Sequence, residues 1–319
     1  MNKILIITNK EDITVDYVVN KLNSLSADYY RFNTEEIGTS LDIKLDFSDN
    51  KFYLFDTIKN INIDFNEFDS IYFRRPKLPF IDNDLTEGEK KFLTKEYTAL
   101  LEGVYRILDN KKWLNNVYDI RHVENKIYQL LCAGELGFKI PSSLITNISK
   151  EAHTFSEKFS DVIFKPMKNG FIEESKRNSK ILYTTLVDDF FLKNLDRIKP
   201  CPCYFQEHIE KKYDVRVTYI NKICYSASIY SQSYETSKTD WRKTDFILQH
   251  ERIDIPEPIR EKCVLLCNKF NLNFAAIDFI VDQSGDYWLL EINPNGQWAW
   301  IEEILKYPIT SNIIDYLIK

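Results

Sequence analysis

The sequence contains little glycine, no excess of basic residues and no long uninterrupted apolar run. Only 8 of its 319 residues are glycine, and no Gly-x-Gly-x-x-Gly motif follows the first apolar segment, so dinucleotide binding there is unsupported. The formal net charge is -6, whereas binding of a nucleic-acid backbone requires clustered, uncompensated Lys and Arg. Polar and charged residues interrupt the apolar stretch 263–281, which is therefore unsuited to crossing a bilayer. We expect neither a nucleic-acid nor a membrane partner.

The sequence shows no secretion signal, and its cysteines and histidines are not spaced as in a metal site or a catalytic triad. The apolar run at residues 1–7 is shorter than a signal-peptide core and lacks a small-residue cleavage site. A large chain without such a signal is expected to keep its 6 cysteines reduced in the cytoplasm. Zinc binding by Cys201, Cys203, Cys263 and Cys267 is disfavoured, because the last two lie on an apolar helical face. The 4 histidines show no ligand or triad spacing.

The composition and the order of apolar segments predict a soluble protein of two or three domains. Hydrophobic residues make up 44% and charged residues 28% of the chain, and single cores stop growing at roughly 250 residues. A helical pattern begins at Val15, with Thr14 as the candidate N-cap. Strand-like runs in the N-terminal part of the chain predict an α/β domain, and they occupy residues 3–8, 29–33, 43–47, 51–55 and 70–74.

Two helical patterns follow, and they suggest where the first domain ends. The first is a long charged helix over residues 86–108, and the second runs through residues 119–131 up to a glycine-containing stop. Boundaries near Tyr118 and after residue 205 give three predicted parts, namely an N-terminal α/β domain at 1–118, a central lobe at 119–205 and a C-terminal lobe at 206–319.

The segment 276–293 carries the strongest chemical signal. It has the pattern of two strands joined by a tight turn near Gly285. Folding about this turn sets Asp278 opposite Glu291, and the two-residue period of a strand puts Asn293 on the same face as Glu291. Facing carboxylates in an apolar hairpin repel each other unless a cation binds them, and hard oxygen ligands suit Mg²⁺ held with nucleotide phosphates. We therefore predict a magnesium site here, with a solvated acidic face as the alternative.

The alternating run 213–218 supplies a candidate phosphate clamp. Asp214, Arg216 and Thr218 fall on one face of a strand, while apolar residues occupy the other. Arginine suits the binding of phosphate oxygens, and Asp214 suits either a ribose hydroxyl or the orientation of the arginine. The alternative is a surface ion pair on a half-buried strand.

Three further cations are candidates for contact with phosphate or substrate. Lys165 ends an apolar run, Lys126 lies on the helix predicted from residue 119, and Arg242 ends the polar segment 234–242. A lysine suits a point contact with the α- and β-phosphates, and an arginine suits a transferring phosphoryl group or a substrate carboxylate. For Lys126, an exposed helical lysine is the alternative. The charged loop 167–179 is predicted to close over a triphosphate.

Taken together, these motifs resemble the ATP-grasp ligases, and their order matches over residues 118–319. The Asn-Pro-Asn-Gly-Gln-Trp motif at 293–298 and the Arg-Arg-Pro motif at 74–76 look like those of the graspetide macrocyclases, the microviridin-type peptide maturases. The resemblance implies an ATP-grasp fold of mixed α/β and α+β class, preceded by an N-terminal pre-ATP-grasp α/β domain.

The resemblance also implies roles for particular residues. Asp278, Glu291 and Asn293 would hold Mg²⁺, while Arg216, Arg242 and Lys165 would be catalytic. Residues 206–209 would form a linker against adenine, and Lys126 and Lys165 would contact phosphates. The expected nucleotide-binding residues are Lys126, Lys165, Gln206, Glu207, His208, Ile209, Asp214 and Arg216.

The reaction implied by the resemblance is ATP-dependent crosslinking of a ribosomally made precursor peptide. An Asp or Glu side chain would become an acyl phosphate, which a Ser or Thr hydroxyl or a Lys amine would attack to give an ester or amide. Recognition of a leader region belongs to the same resemblance, and a homodimer is compatible with it. The alternatives are an ATP-grasp amino-acid ligase, a kinase and a nucleotide-binding module without turnover. Ester and amide chemistry both remain open.

Overall fold

The structure is a computed structural model, and it divides into two compact units. Unit 1 comprises Met1–Ile120, Asn271–Phe274 and Gln297–Lys319, and unit 2 comprises Arg121–Phe270 and Ala275–Gly296. The loop predicted to close over a triphosphate includes Asn169, Lys176 and Arg177, which lie outside the described residues. The structure describes residues 2–168, 170–175, 178–243 and 246–319.

The first part of the chain contains both helices and strands. In chain order they are β1 (Ile4–Thr8), α1 (Ile13–Ser24), β2 (Tyr29–Asn33), β3 (Leu41–Asp46), β4 (Lys51–Asp56), β5 (Ile61–Asp64), β6 (Ser70–Phe73), α2 (Glu87–Ile107), β7 (Lys112–Trp113), α3 (Val117–Val123), α4 (Lys126–Glu135), β8 (Ser143–Thr146), α5 (Ser149–Ser156) and β9 (Val162–Lys165). The remainder are β10 (Phe171–Ser175), β11 (Asn178–Ile181), β12 (Thr185–Leu186), α6 (Asp189–Lys193), β13 (Cys203–Glu207), β14 (Lys211–Ile220), β15 (Ile223–Ile229), β16 (His250–Arg252), α7 (Glu257–Lys269), β17 (Phe274–Asp282), β18 (Tyr287–Asn293), α8 (Ala299–Leu305) and α9 (Ile309–Ile318).

Unit 1 contains a parallel sheet and a smaller antiparallel sheet. The parallel sheet has the order β2-β1-β6-β7, and every residue of β1 is buried, as expected for a central strand covered on both faces. Strands β3, β4 and β5 form the antiparallel sheet. These elements confirm the predicted N-terminal strands, with shifts of one or two residues at their ends.

Helix starts depend on side-chain caps, and here two predictions from sequence were wrong. The cap of α1 is Asp12, whose carboxylate accepts a hydrogen bond from the Thr14 backbone N–H at 3.0 Å, so Thr14 lies inside the helix. The predicted helix over 119–131 is broken, because Asn125 caps a new helix by accepting from the Tyr128 N–H at 3.1 Å. Among the described residues, no helix is long and apolar enough to span a membrane.

A buried polar cluster joins the two ends of the chain within unit 1. Arg74 is 1% exposed, and its Nε lies 3.0 Å from Asp12 Oδ2. Its Nη2 donates to Gln297 Oε1 at 2.7 Å, and the Thr14 hydroxyl donates to the same oxygen at 2.6 Å. Trp298 is fully buried beside this cluster and packs edge-on against Tyr17. Two motifs that resemble the macrocyclases therefore pack against each other.

Unit 2 contains two larger sheets and the two-stranded antiparallel sheet of β10 and β11. One larger sheet has the order β12-β9-β13-β8, and the other has the order β16-β15-β14-β17-β18. β14 is buried along nearly its whole length, because it lies between β15 and β17. The alternative of a surface ion pair on a half-buried strand is therefore wrong. Its polar residues face the protein interior.

Candidate functional site

The hairpin of β17 and β18 places two carboxylates opposite each other. Asp278 pairs in register with Glu291, as predicted, and Asn293 pairs with Ala276 two residues further along. The turn contains Gly285 with φ +92, a conformation that glycine adopts without strain. The register shifts between Asp278 and Phe279, which leaves Leu290 as an additional residue in β18 and forms a β-bulge directly before Glu291.

Both carboxylates form ion pairs with basic side chains that the sequence predicts to contact phosphate. Arg216 from β14 binds Asp278 through two hydrogen bonds, with Nε to Oδ1 at 2.5 Å and Nη2 to Oδ2 at 3.1 Å. Lys126 Nζ from α4 lies 3.0 Å from Glu291 Oε2. The side chains of Arg216 and Asp278 are 9% and 15% exposed, so this pair is largely withdrawn from solvent. The solvated acidic face and the surface ion pair are therefore both excluded as descriptions of these residues.

The surrounding charges set the protonation of the two acids differently. Burial raises the pKa of Glu291, but the positive charges of Lys126, Arg242 and Lys165 outweigh it and hold the pKa at about 2. Burial raises the pKa of Asp278, and the neighbouring Glu291 adds to this effect while Arg216 opposes it. Glu291 is thus a carboxylate at neutral pH, in the form that a metal ion requires.

Lys165 is held on the neighbouring sheet by Gln206. Its Nζ donates to Gln206 Oε1 at 2.7 Å and lies 4.9 Å from the centre of the Tyr204 ring. The Gln206 Nε2 in turn donates to Ser143 Oγ and to the Tyr204 hydroxyl, both at 2.9 Å. Burial and the charge of nearby Lys126 lower the pKa of Lys165 to about 8. The site therefore contains a buried lysine whose pKa is well below its ordinary value.

Residues 206–209, predicted as a linker against adenine, point in different directions. Gln206 is 1% exposed and binds the side chains of Lys165, Ser143 and Tyr204. The Glu207 carboxylate instead accepts from the Ser142 N–H at 3.2 Å. His208 and Ile209 are half-buried, and burial lowers the pKa of His208. Gln206 and Glu207 belong to β13, so only His208 and Ile209 lie in the connection to β14. Their role in nucleotide binding stays a prediction.

Arg242 is oriented by its own neighbour in sequence. Its Nε and Nη2 donate to the two oxygens of Asp240 at 2.8 and 2.9 Å, and this hydrogen bonding raises the pKa of Arg242. Asp240 is 4% exposed, whereas the Arg242 side chain is 55% exposed. The arginine is therefore anchored at its inner side and accessible to solvent at the other.

Asp214 does not bind Arg216, although the two share a strand. It is 4% exposed and accepts from Lys211 Nζ at 2.8 Å and from the Ser231 hydroxyl. Ser231 begins the segment that leads to Asp240, and Ser237 within this segment donates back to the Ser231 carbonyl at 2.5 Å. The observed contacts of Asp214 thus anchor this segment. Contact of Asp214 with a ribose hydroxyl stays a prediction.

The turn after β18 positions the third predicted metal ligand. The Asn293 side-chain oxygen accepts from the Asn295 backbone N–H at 3.0 Å, which fixes its orientation. A Cβ at Gly296 would lie 2.2 Å from Ala276 Cβ, so only glycine fits where this turn passes β17. The amide oxygen has a second lone pair for a further ligand.

The donor set of this site fits magnesium. Asp278, Glu291 and Asn293 supply oxygen ligands only, which is the preference of Mg²⁺, and the surrounding cations match the phosphates that accompany it. The described part of the chain contains no group of three or more His, Cys, Asp or Glu side chains arranged for a metal. The site has two carboxylates and one amide, which suits a metal shared with a nucleotide better than a metal held by protein alone.

Sequence reasoning missed the residues that support this site from behind. Gln129 on α4 binds the backbone of β18, Asp240 orients Arg242, and Gln206 holds Lys165. For Gln129 a signal was present, because it lies three residues after Lys126 and therefore on the same helical face.

Known proteins share the fold of this chain. The family model of the MvdD pre-ATP grasp domain matches residues 3–121. A Chryseobacterium gregarium RiPP-associated ATP-grasp ligase, solved in complex with ADP and a leader and core peptide, is 28% identical with a TM-score of 0.90, covering 100% of this chain and 97% of that chain. No curated protein sequence matches this chain.

Two further structures share the fold at lower identity. The macrocyclase MdnC from Microcystis aeruginosa MRC, bound with precursor peptide MdnA, is 22% identical with a TM-score of 0.87, covering 100% of this chain and 99% of that chain. The ATP-grasp ligase PsnB, complexed with a phosphomimetic variant of its minimal precursor, Mg and ADP, is 20% identical with a TM-score of 0.76, covering 100% and 98%.

The fold and the matched N-terminal domain identify this chain as an ATP-grasp ligase, an enzyme of the ADP-forming class. Its full-length similarity is to ligases associated with RiPPs, the ribosomally made and modified peptides. Within the ATP-grasp ligases, the structures similar to this chain include RiPP-associated ligases and microviridin-type macrocyclases.

Proposed function

We propose that this enzyme uses ATP and Mg²⁺ to form ester or amide crosslinks within a ribosomally made precursor peptide. The observation that carries the proposal is the facing pair of Asp278 and Glu291, each bound by a basic side chain in a largely buried site. Such a concentration of fixed charges of both signs suits a metal and a triphosphate, and the similarity to RiPP-associated ligases supports a peptide substrate.

In this proposal Asp278, Glu291 and Asn293 hold the metal. When bound, Mg²⁺ would neutralise charge on the phosphates of ATP, as divalent ions do in phosphoryl transfer. Lys126 and Lys165 bind the phosphates, since Lys126 contacts Glu291 and the charge of Lys165 helps to lower the Glu291 pKa. Lys165 is held in place by Gln206. Residues 206–209 and Asp214 are proposed to form the nucleoside side of the site.

Arg216 and Arg242 act in the transfer of the γ-phosphoryl group from ATP to the substrate carboxylate. A substrate carboxylate oxygen attacks the γ-phosphorus, the bond to ADP breaks, and an acyl phosphate forms. A hydroxyl or amine of the same peptide then attacks the acyl carbon, and inorganic phosphate leaves with the former carboxylate oxygen. The planar guanidinium groups bind the phosphoryl oxygens and the substrate carboxylate, and Asp240 keeps Arg242 aligned for this role.

The proposal also covers the partners, the cellular location and the oligomeric state of the enzyme. A peptide substrate with a leader region and a homodimer are proposed from the likeness to the family, and a cytoplasmic location is proposed from the free cysteines. The net charge of -6 supports a partner other than nucleic acid. No membrane partner is proposed.

The test is a reaction of the purified chain with ATP, Mg²⁺ and a precursor peptide. We expect ADP and a peptide lighter by the mass of one water for each bond formed. Asp278→Asn and Glu291→Gln should each lower kcat/KM by about 100-fold or more, because each removes a charge needed by the metal. Asp286→Asn is the matched control, since Asp286 lies on the same hairpin in an exposed ion pair with Lys139.

Other products would identify the rival activities. A peptide heavier by one phosphate would indicate a kinase, and a peptide heavier by an amino-acid residue would indicate an amino-acid ligase. ADP release without any change of peptide mass, or full activity in Glu291→Gln, contradicts the proposal.

A further inference from the structure

Gln129 connects helix α4 to the strand that carries two of the proposed metal ligands. It is 7% exposed, and it lies three residues after Lys126. Its Nε2 donates to the Ile292 carbonyl at 2.9 Å and to the Val123 carbonyl at 2.7 Å, while its Oε1 accepts from the Ile292 N–H at 3.1 Å. The whole amide group is therefore engaged, and two of its three bonds end on one residue.

Ile292 is the residue between Glu291 and Asn293, and its strand lies at the end of its sheet. In the order β16-β15-β14-β17-β18, strand β18 has a neighbouring strand on one side only. On the other side, the Leu289 N–H donates to the Lys139 carbonyl at 2.8 Å, and Gln129 binds both peptide groups of Ile292. A side-chain amide thus replaces a neighbouring strand at the position where ligands must be oriented.

The β-bulge explains why this support matters. Leu290 interrupts regular pairing directly before Glu291, and a bulge bends a strand locally. The cavity beside Gln129, between α4 and β18, has a volume of about 10 Å³, which is room for at most one water molecule. If the amide were removed, solvent would satisfy the Ile292 peptide groups poorly, and the strand would shift instead.

We propose that Gln129 is a positioning residue for the magnesium site. It sets the direction of Glu291 and Asn293 through the backbone of Ile292, while Lys126, one helical turn earlier, contacts Glu291 directly. One helix face therefore positions both the proposed ligands and a proposed phosphate contact. The inference depends on the proposed function, because it assumes that Glu291 and Asn293 bind metal.

The test is the binding of Mn²⁺ in the presence of ADP, followed by electron paramagnetic resonance, with Gln129→Met as the variant. Methionine retains the length of the side chain and removes all three hydrogen bonds. We expect Mn²⁺ affinity to fall about 10- to 100-fold, as for other residues that orient metal ligands, and kcat to recover largely at saturating Mg²⁺. Hydrogen exchange of the backbone at residues 291–293 should accelerate in the same variant.

Cys132→Ala is the matched control for loss of packing. Cys132 lies on the same helix and is 1% exposed, so this variant removes packing from α4 while leaving all three Gln129 hydrogen bonds in place. Its Mn²⁺ affinity should match that of the parent protein. An equal loss in Cys132→Ala, or unchanged affinity in Gln129→Met, overturns the inference. If Gln129→Met does not fold, Gln129→Glu takes its place, because it keeps the acceptor for the Ile292 N–H and loses the two donor hydrogen bonds. Unchanged Mn²⁺ affinity in that variant likewise overturns the inference.

Glu291→Gln separates this inference from the proposed function. If Glu291→Gln leaves Mn²⁺ affinity unchanged, the metal site itself is wrongly assigned. If Glu291→Gln weakens Mn²⁺ binding while Gln129→Met does not, the metal site stands and the role of Gln129 is refuted.

Discussion

Lys165 combines a fixed position with an unusual proton affinity. Burial and the nearby Lys126 lower its pKa to about 8, whereas Glu291 opposes the shift. In the unfolded chain the same lysine has a pKa near its ordinary value of 10.5. Between these values the unfolded state binds more protons, so the contribution of Lys165 to stability rises with pH. Phosphate binding requires the charged lysine and should change in the opposite direction.

We therefore expect kcat/KM for ATP to fall as pH rises through about 8. kcat/KM reports the free enzyme, in which this pKa applies before phosphates bind. Lys165→Arg should have lower activity at neutral pH but lack this decline, because arginine stays charged. The measurement is a profile of kcat/KM from about pH 7 to about pH 9.5 for both proteins. Lys139→Arg, at an exposed lysine, should retain the parent profile, and a decline that persists in Lys165→Arg refutes the assignment.

At the scale of elements, the β17–β18 hairpin could be predicted because its register depends on one short turn. Asp278 and Glu291 are separated by 13 positions, and the glycine turn with a two-residue period was enough to pair them. The partner of Asp278 was not predictable, because Arg216 lies 62 positions away and its strand shows no sequence signal for its neighbour. The interior position of β14 was missed for the same reason, since alternation does not report which strands flank it.

Asp214 illustrates how an element anchors a functional segment. Its pKa is raised by burial, and its observed partners are Lys211 and Ser231. Asp214→Asn would leave Lys211 as a buried charge without its carboxylate, so we expect the free energy of unfolding to fall by about 3–5 kcal/mol. The double variant Lys211→Met with Asp214→Leu removes both charges and should recover most of that loss. Urea unfolding measures both effects.

The same double variant separates anchoring from nucleotide contact. If Asp214 acts only through Lys211 and Ser231, affinity for ADP should stay within about twofold of the parent protein once stability is recovered. A large loss of ADP affinity in a stable double variant would instead support contact between Asp214 and the ribose. Isothermal titration calorimetry with ADP measures this affinity in the parent protein and in the double variant.

At the scale of the whole molecule, unit 1 is closed by the last part of the chain. The matched family domain ends at residue 121, yet Gln297–Lys319 belongs to the same compact unit. Arg74 and Gln297 are 223 positions apart and bind each other in the interior. Nothing local in sequence predicts such a contact, which explains why the predicted boundaries assigned residues 206–319 to a single C-terminal lobe. That three-part division stays a prediction, because the structure divides the chain into two compact units and does not resolve the two predicted lobes from each other.

Removing residues 297–319 should therefore unfold unit 1. The segment buries Trp298, Ile309, Ile313 and Leu317 completely. Each such side chain stabilises a fold by about 1.5–3 kcal/mol, so their sum is comparable to the whole stability of about 5–15 kcal/mol of a typical domain. Arg74, which is paired with Asp12, would also lose Gln297 as a hydrogen-bond acceptor.

The measurement is hydrogen exchange of β1 and β6. Both strands should lose protection in the truncated chain, whereas deletion of the exposed Lys319 alone should leave both protected. Full protection of β1 after the larger truncation would mean that the N-terminal sheet is stable without its C-terminal helices.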